Sequence, residues 1–125
     1  MSRTLPSAFL RYAGVGAAAT LAHYALLAVW VEGLHGPAWV GSGLGATLGA
    51  QLAFFGNRAW TFDHRGALAP AWWRFMGTAL IGAALGMAVV AAGVALGWHY
   101  LLAQMLATGL GLLLTFAINR HWTFG

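Results

Sequence analysis

The chain has 125 residues, six basic and two acidic, for a formal charge of +4; 61% are hydrophobic and none is cysteine. A soluble domain is about one quarter charged, against 6% here, so polar side chains are too few to cover a water-facing surface, and a chain this apolar with seven Trp cannot stay solvated as a disordered one. The absence of cysteine excludes disulfide frameworks, thiolate catalysis and cysteine metal sites, and the small charge is no footprint for nucleic acid; an integral membrane protein is the class that remains.

A spanning helix needs about 20 residues, and four apolar stretches of that size follow one another. The first, 12–31, lies between Arg11 and Glu32. At about 1.5 Å per residue it reaches about 30 Å, the hydrocarbon thickness. Its Arg-bearing start and small Ala17 and Ala19 resemble a signal peptide, but it outlasts the 7–15 apolar residues of such a segment and has a partner later in the chain, so it reads as a retained helix. The second, 38–56, opens after Gly36-Pro37 and closes at Asn57-Arg58. The third covers 75–96, and the fourth, 100–118, closes at Asn119-Arg120. Links 32–37 and 97–99 are short, so each pair is a helical hairpin. Unbroken Ala-, Leu- and Gly-rich runs exclude the ten-residue alternation of membrane strands. The expected fold is all-α: a single domain, 1–125, forming an integral membrane four-helix bundle.

Charge predicts its orientation. Arg3 and Arg11 precede the first helix, Arg58, Arg65 and Arg74 lie between the second and third, and Arg120 follows the fourth, while the hairpin tips hold only Glu32, His35 and His99. The positive-inside rule makes the arginine side cytoplasmic, with both termini inside the cell at the inner (plasma) membrane. Trp30, Trp39 and Trp98 fall at the outer boundary and Trp60, Trp72, Trp73 and Trp122 at the inner one, as aromatic belts do.

The chain also repeats itself. Phe9-Leu10-Arg11-Tyr12-x-Gly14 is echoed by Trp72-Trp73-Arg74-Phe75-x-Gly77, and Asn57-Arg58-Ala59-Trp60-Thr61-Phe62 by Asn119-Arg120-His121-Trp122-Thr123-Phe124, at offsets of 63 and 62 residues. Repeat one covers about 9–62 and repeat two about 72–124. An even number of helices per repeat makes the halves parallel, related by an axis along the membrane normal. The opening aromatic-Arg-aromatic-x-Gly, the closing Asn-Arg-x-Trp-Thr-Phe and the four-helix plan resemble the GtrA-like membrane proteins over about residues 9–124. That resemblance implies a link to polyprenyl-phosphate sugars in cell-surface polysaccharide glycosylation, as a flippase or a helper, with a membrane glycosyltransferase as partner.

Anion contacts are expected at one bilayer boundary. Arg11 and Arg74 are placed at helix starts, where the macrodipole disfavours a second cation by about 0.3–1 kcal/mol and where a phosphate would offset both; plain topology signals that snorkel are the alternative. Arg58 and Arg120 fall at helix ends, where a cation is favoured, with Asn57 and Asn119 as left-handed caps and Trp60 and Trp122 as interfacial anchors. Arg, used here without any Lys, binds phosphate through a rigid bidentate fork.

Polar residues inside the bilayer are costly and face other helices or a cavity. Gln104, Thr108, Thr115 and Asn119 form one stripe on the fourth helix, and Thr47, Gln51 and Arg58 another on the second; Gln104 aligns in the repeat with Ser42, and Gln51 with Leu113. His23 lies midway along the first helix. Together these residues offer a polar track for sugar hydroxyls, with interhelical hydrogen bonding as the alternative. Gly41, Gly45 and Gly49, and Gly82/Gly86 and Gly93/Gly97, make small-xxx-small faces, assigned to the seam between helices two and three or between protomers.

Standalone catalysis needs a carboxylate pair or a metal site, whereas Glu32 and Asp63 are expected about 30 Å apart; no enzyme, cofactor or metal is expected. A small multidrug exporter uses a glutamate embedded in the first helix, while Glu32 is at its end. The reading is a protein that binds a polyprenyl-phosphate-linked sugar and assists its passage between leaflets. A non-transporting scaffold that docks a glycosyltransferase or presents its lipid is the alternative. Four helices are a narrow path for a sugar, so a homo-oligomer is expected.

Overall fold

A computed structural model of the chain describes residues 5–61 and 66–118, the side chains of 5, 6, 8, 61 and 116 apart. Four helices follow in order: α1 (Leu5–Ala28), α2 (Ala38–Gly56), α3 (Leu68–Ala95) and α4 (Tyr100–Ile118). A wider π turn prolongs α1 over Val29–Gly33 and α2 over Asn57–Thr61. Phe9–Gly33 and Leu68–Ala95 are long and apolar enough to cross a membrane, and Tyr100–Thr115 is a shorter apolar helix.

The helices α1 and α3 start well before the apolar stretches do. Charge ended the stretches at Arg11 and Arg74, but the backbone is already helical at Leu5 and Leu68. Pro6 and Pro70 fall in these first turns, where no N–H is needed and the fixed φ suits a helix. Both arginines therefore sit nearly two turns inside their helices, beyond the reach of the macrodipole, which acts within the first turn. The helix-start argument for anion binding at Arg11 and Arg74 does not hold.

The two tips stop their helices differently. After α3, Gly97 takes φ +90°; Trp98 N donates to Gly93 O (2.9 Å) and Gly97 N to Val94 O (3.0 Å), the paired bonds of a Schellman motif. After α1, Leu34 N donates to Val29 O (3.1 Å), Gly36 N donates to Trp30 O (2.9 Å), and His35 supplies the left-handed residue at φ +57°. The Trp30 indole folds over this tip, donating from Nε1 to Pro37 O (3.0 Å); any Cβ on Gly36 would run into its ring.

The hairpin seams define the packing, and they are equivalent. In repeat one, Leu27 and Trp30 lie over Gly41, His23 over Gly45, Ala19 over Gly49 and Val15 over Gly56. In repeat two, Gly93 faces Ala103, Gly86 faces Ala107 and Gly82 faces Thr115, with Val90, Ala103 and Ala107 forming the core beside Ala38 and Val89. Leu27 and Val90, 63 positions apart, are both fully buried, one in each seam. The glycines change sides: α2 carries them in repeat one, α3 in repeat two. This corrects most of their expected place, because the Gly41/Gly45/Gly49 face meets α1 and Gly82 and Gly93 meet α4, while Gly86 lies between Ala107 of α4 and Ser42 of α2, in the expected seam between the second and third helices. Only Gly43, which admits the Met87 thioether, opens α2 towards α3.

Among the described residues the hairpins join mainly through α2 and α3, and α1 and α4 approach each other far less. The repeat explains the difference. The counterpart of Gly43 on α4 is Met105, 60% exposed, so at this level α4 presents a large side chain to α1 where α2 presents a notch to α3. Large apolar side chains such as Leu21, Leu52, Leu80, Leu112 and Leu113 cover the perimeter.

Glycine seams make a sharp prediction. A Cβ on Gly45 would lie 2.6 Å from the His23 carbonyl oxygen and clash with its ring, while Gly109 meets no described atom within 4 Å. Gly45→Ala should cost about 1–3 kcal/mol by overpacking, and Gly109→Ala should be neutral or stabilising by about 0.5–1 kcal/mol. Unfolding of both variants in mixed micelles checks the contrast.

Candidate functional site: the arginine end and a buried polar cluster

Topology gathers Arg11, Arg58 and Arg74 at one end of the bundle, since α1 and α3 begin there and α2 ends there. The Arg11 guanidinium lies over the Trp60 ring, 5.1 Å from its centroid. The same indole covers Gly14, where a Cβ would sit 3.6 Å away. Arg11 and Gly14 share a helix face through their three-residue spacing, and the π turn after Gly56 keeps Trp60 on the α1 side. The opening and closing motifs of repeat one thus interlock, with cation–π contact at their centre. Trp60 is thus a clamp on α1.

Arg58 donates from Nη2 to Gly66 O (3.1 Å), tying the π turn to the segment that leads into α3. Asn57 is right-handed, φ −68° and ψ −40°, with its N–H bonded to Ala53 O and Phe54 O. It therefore continues the helix and is not the left-handed cap expected for it. Arg74 is exposed. Asn119, Arg120 and Trp122 lie outside the described residues, as do Arg3 and Arg65.

Two open grooves follow the α2–α3 face, one of about 360 Å³ between Phe55, Leu68 and Trp72/Trp73, the other of about 430 Å³ between Trp39, Thr47, Leu80 and Met87. Both are apolar and no arginine lines either. At this face Trp72 Nε1 donates to Gln51 Oε1 (3.0 Å), and Gln51 Nε2 donates to Met76 Sδ (3.0 Å). Gln51 is thereby an interhelical tie.

The expected polar track divides into three parts. Thr47 donates to Gly43 O (2.8 Å) and Thr115 to Gly111 O (2.9 Å), each bonding its own helix. Gln51 belongs to the α2–α3 tie. His23, Gln104 and Thr108 come together at mid-bundle with two residues that the sequence reading passed over, Tyr24 and Ser42. Gln104 Nε2 donates to Thr108 Oγ1 (3.2 Å), and Thr108 Oγ1 shares a 2.8 Å hydrogen bond with Tyr24 Oη, a side-chain link from α4 to α1. Ser42 and Gln104 are 1% and 2% exposed, and the imidazole has the Gln104 side chain and Ser42 backbone as neighbours. The repeat offered the signal for Ser42, because it is the counterpart of Gln104; helical periodicity could not reveal Tyr24, which acts through the length of its side chain.

At the tip end the buried Tyr100 hydroxyl neighbours the Glu32 carboxylate. Among the described residues no three His, Cys, Asp or Glu side chains gather as metal ligands.

Two interlocked hairpin repeats, apolar on the outside and polar at one end and in the middle, define a four-helix integral membrane protein. The family described as GtrA/DPMS, transmembrane domain, matches residues 11–124, and the chain belongs to that family. No curated protein and no solved structure matches it.

The Arg11–Trp60 contact is open to a double-mutant cycle. Arg11→Ala and Trp60→Ala should couple by about 0.5–1 kcal/mol, the worth of an exposed cation–π pair, read from unfolding in mixed micelles. Coupling near zero would reduce the contact to proximity.

Proposed function

We propose that the protein binds a polyprenyl-phosphate-linked sugar and moves it between leaflets for cell-surface polysaccharide synthesis. The observation that carries this reading is family membership over residues 11–124, which brings an involvement with polyprenyl-phosphate sugars. The arginine end supports it: Arg11, Arg58 and Arg74, with Arg120 following α4 in sequence, bring guanidinium groups to one end of a bundle whose flanks are apolar. Guanidinium forks suit a phosphate, and the prenyl tail stays among lipids. By the positive-inside rule that end is cytoplasmic, in the inner membrane. Arg74, exposed on α3, is the leading phosphate contact, with Arg58 and Asn57 after α2 and, by their place in the sequence after α4, Asn119 and Arg120 as further contacts; Arg11 reaches a headgroup only from its place on Trp60. No catalytic step is assigned, because Glu32 is at the tip end and Asp63 falls between α2 and α3 in sequence. A second copy of the chain and a membrane glycosyltransferase are the proposed partners.

A second reading, a scaffold that presents the lipid to a glycosyltransferase without moving it, is favoured by the divided polar track. Reconstitution into vesicles with a labelled polyprenyl-phosphate sugar separates the two: leaflet exchange above empty vesicles is expected, and binding without exchange selects the scaffold. Arg74→Ala should insert normally yet bind the phosphate lipid about tenfold more weakly, the loss of one charge-assisted contact. Unchanged binding would leave Arg74 a topology signal.

A further inference from the structure

The polar cluster at mid-bundle contains two buried atoms without a hydrogen-bond partner, His23 Nε2 and Gln104 Oε1. The two side chains approach each other across α1 and α4 without completing a hydrogen bond at these atoms, and Gln104 is 2% exposed. Buried polar atoms are ordinarily satisfied, so an orphaned pair in one place calls for an explanation. The amide oxygen only accepts, while the imidazole nitrogen donates or accepts according to tautomer. An alcohol hydroxyl fits both: it donates to Gln104 Oε1 and accepts from Nε2–H of His23.

The surroundings select a neutral ligand. α2 contributes Ser42 and Gly45 here, α3 contributes Gly86, and α4 contributes Gln104 and Thr108, with Tyr24 beside His23 on α1. None of these residues carries a formal charge. Glu32, the charge at the tip end, neighbours Tyr100 and not this cluster.

Access is through the junction of α1 and α4. Among the described residues the α1 and α4 backbones come together far less than those of the other neighbouring helices, Met105 stands where α2 has its notch, and the Tyr24–Thr108 hydrogen bond spans the junction beside the approach of His23 to Gln104. Thr108 also holds the Gln104 amide, so breaking the link loosens the residue that carries an orphaned atom. We infer that the α1–α4 junction is a lateral gate, latched by Tyr24 and Thr108, over a hydroxyl-binding site made by His23 and Gln104, which takes the sugar of the lipid-linked substrate at the middle of the bilayer. The inference rests on the lipid-linked-sugar reading above and adds a sugar contact remote from the phosphate.

The test compares two probes, a fluorescent polyprenyl phosphate hexose and the same polyprenyl phosphate without the hexose, in vesicles holding the full chain. Wild type should exchange the hexose lipid faster than the bare one. Gln104→Leu should slow the hexose lipid at least about tenfold, the scale on which a lost hydroxyl contact acts, and leave the bare lipid unchanged, which also reports an intact fold. Tyr24→Phe should act in the opposite direction, raising hexose-lipid exchange about threefold, the factor that one interhelical hydrogen bond in a bilayer supplies on average. Equal exchange of the two probes by wild type, or of the hexose lipid by Gln104→Leu and wild type, overturns the sugar site while leaving the transport reading standing. A Tyr24→Phe rate at or below wild type overturns the gate. Exchange of neither probe above empty vesicles overturns the transport reading and the inference with it.

Discussion

Close approach of α1 to α2 is the constraint from which the other features follow. Between helices in lipid there is no hydrophobic drive, so association depends on van der Waals packing and hydrogen bonds. Glycines 41, 45 and 49 let the α1 backbone approach until the Ala19 carbonyl oxygen is 3.0 Å from where a Cβ on Gly49 would be. That approach sets His23 against Gly45 and brings Trp30 over the tip at Gly36. It also fixes the line along which the Asn57–Thr61 turn leaves α2, and hence the place of Trp60 on Gly14 beneath Arg11. The closing motif can be read as the lower end of the same seam.

Repeat two solves the same problem with the partners reversed. Gly82, Gly86 and Gly93 on α3 receive α4, and the positions correspond to Ala19, His23 and Trp30 of α1. Where repeat one pairs His23 with glycine, repeat two pairs glycine with Ala107. Backbone spacing is conserved by keeping one small residue at each level, while the large one is free to vary. This freedom lets a polar side chain stand at the centre of one seam only. Ser42 and Gln104, by contrast, are polar in both repeats and buried in both.

Much of this was legible beforehand. Two hairpins, four helices and the repeated motifs follow from apolar length, short links and the near-constant repeat offset, whereas the contact of Arg11 with Trp60 that interlocks two of those motifs does not. Boundaries were less so, because a charged residue was allowed to end a helix: Arg11 and Arg74 can be helical and interfacial together, and Pro6 and Pro70 mark the true first turns. Small-residue spacing identified the packing faces but not their partners, since Gly41 and Gly45 lie on one face and Gly43 on another and only the fold shows which neighbour each receives. Polar spacing had the same limit. Thr115 shares a stripe with Gln104, yet its hydroxyl returns to a backbone carbonyl of its own helix, while the Gln104 amide bonds the Thr108 hydroxyl and lies beside His23 of α1.

The parallel repeats also explain why one junction differs from the rest. Perfect two-fold repetition would give α4 and α1 the contact that α2 and α3 enjoy, closing the bundle into a ring. That contact depends on Gly43 admitting Met87, and its counterparts are Met105 and Tyr24, two large side chains that cannot interdigitate in the same way. Tyr24 instead spans the gap with its hydroxyl, a bond that is directional and weak in lipid, where Met87 fills a notch with many dispersion contacts. Three junctions are therefore held by packed surfaces, and among the described residues the fourth is held by polar contacts, Tyr24 to Thr108 and His23 beside Gln104. Any excursion of the bundle is then cheapest at α1 and α4, the side from which the buried polar atoms of His23 and Gln104 are reached.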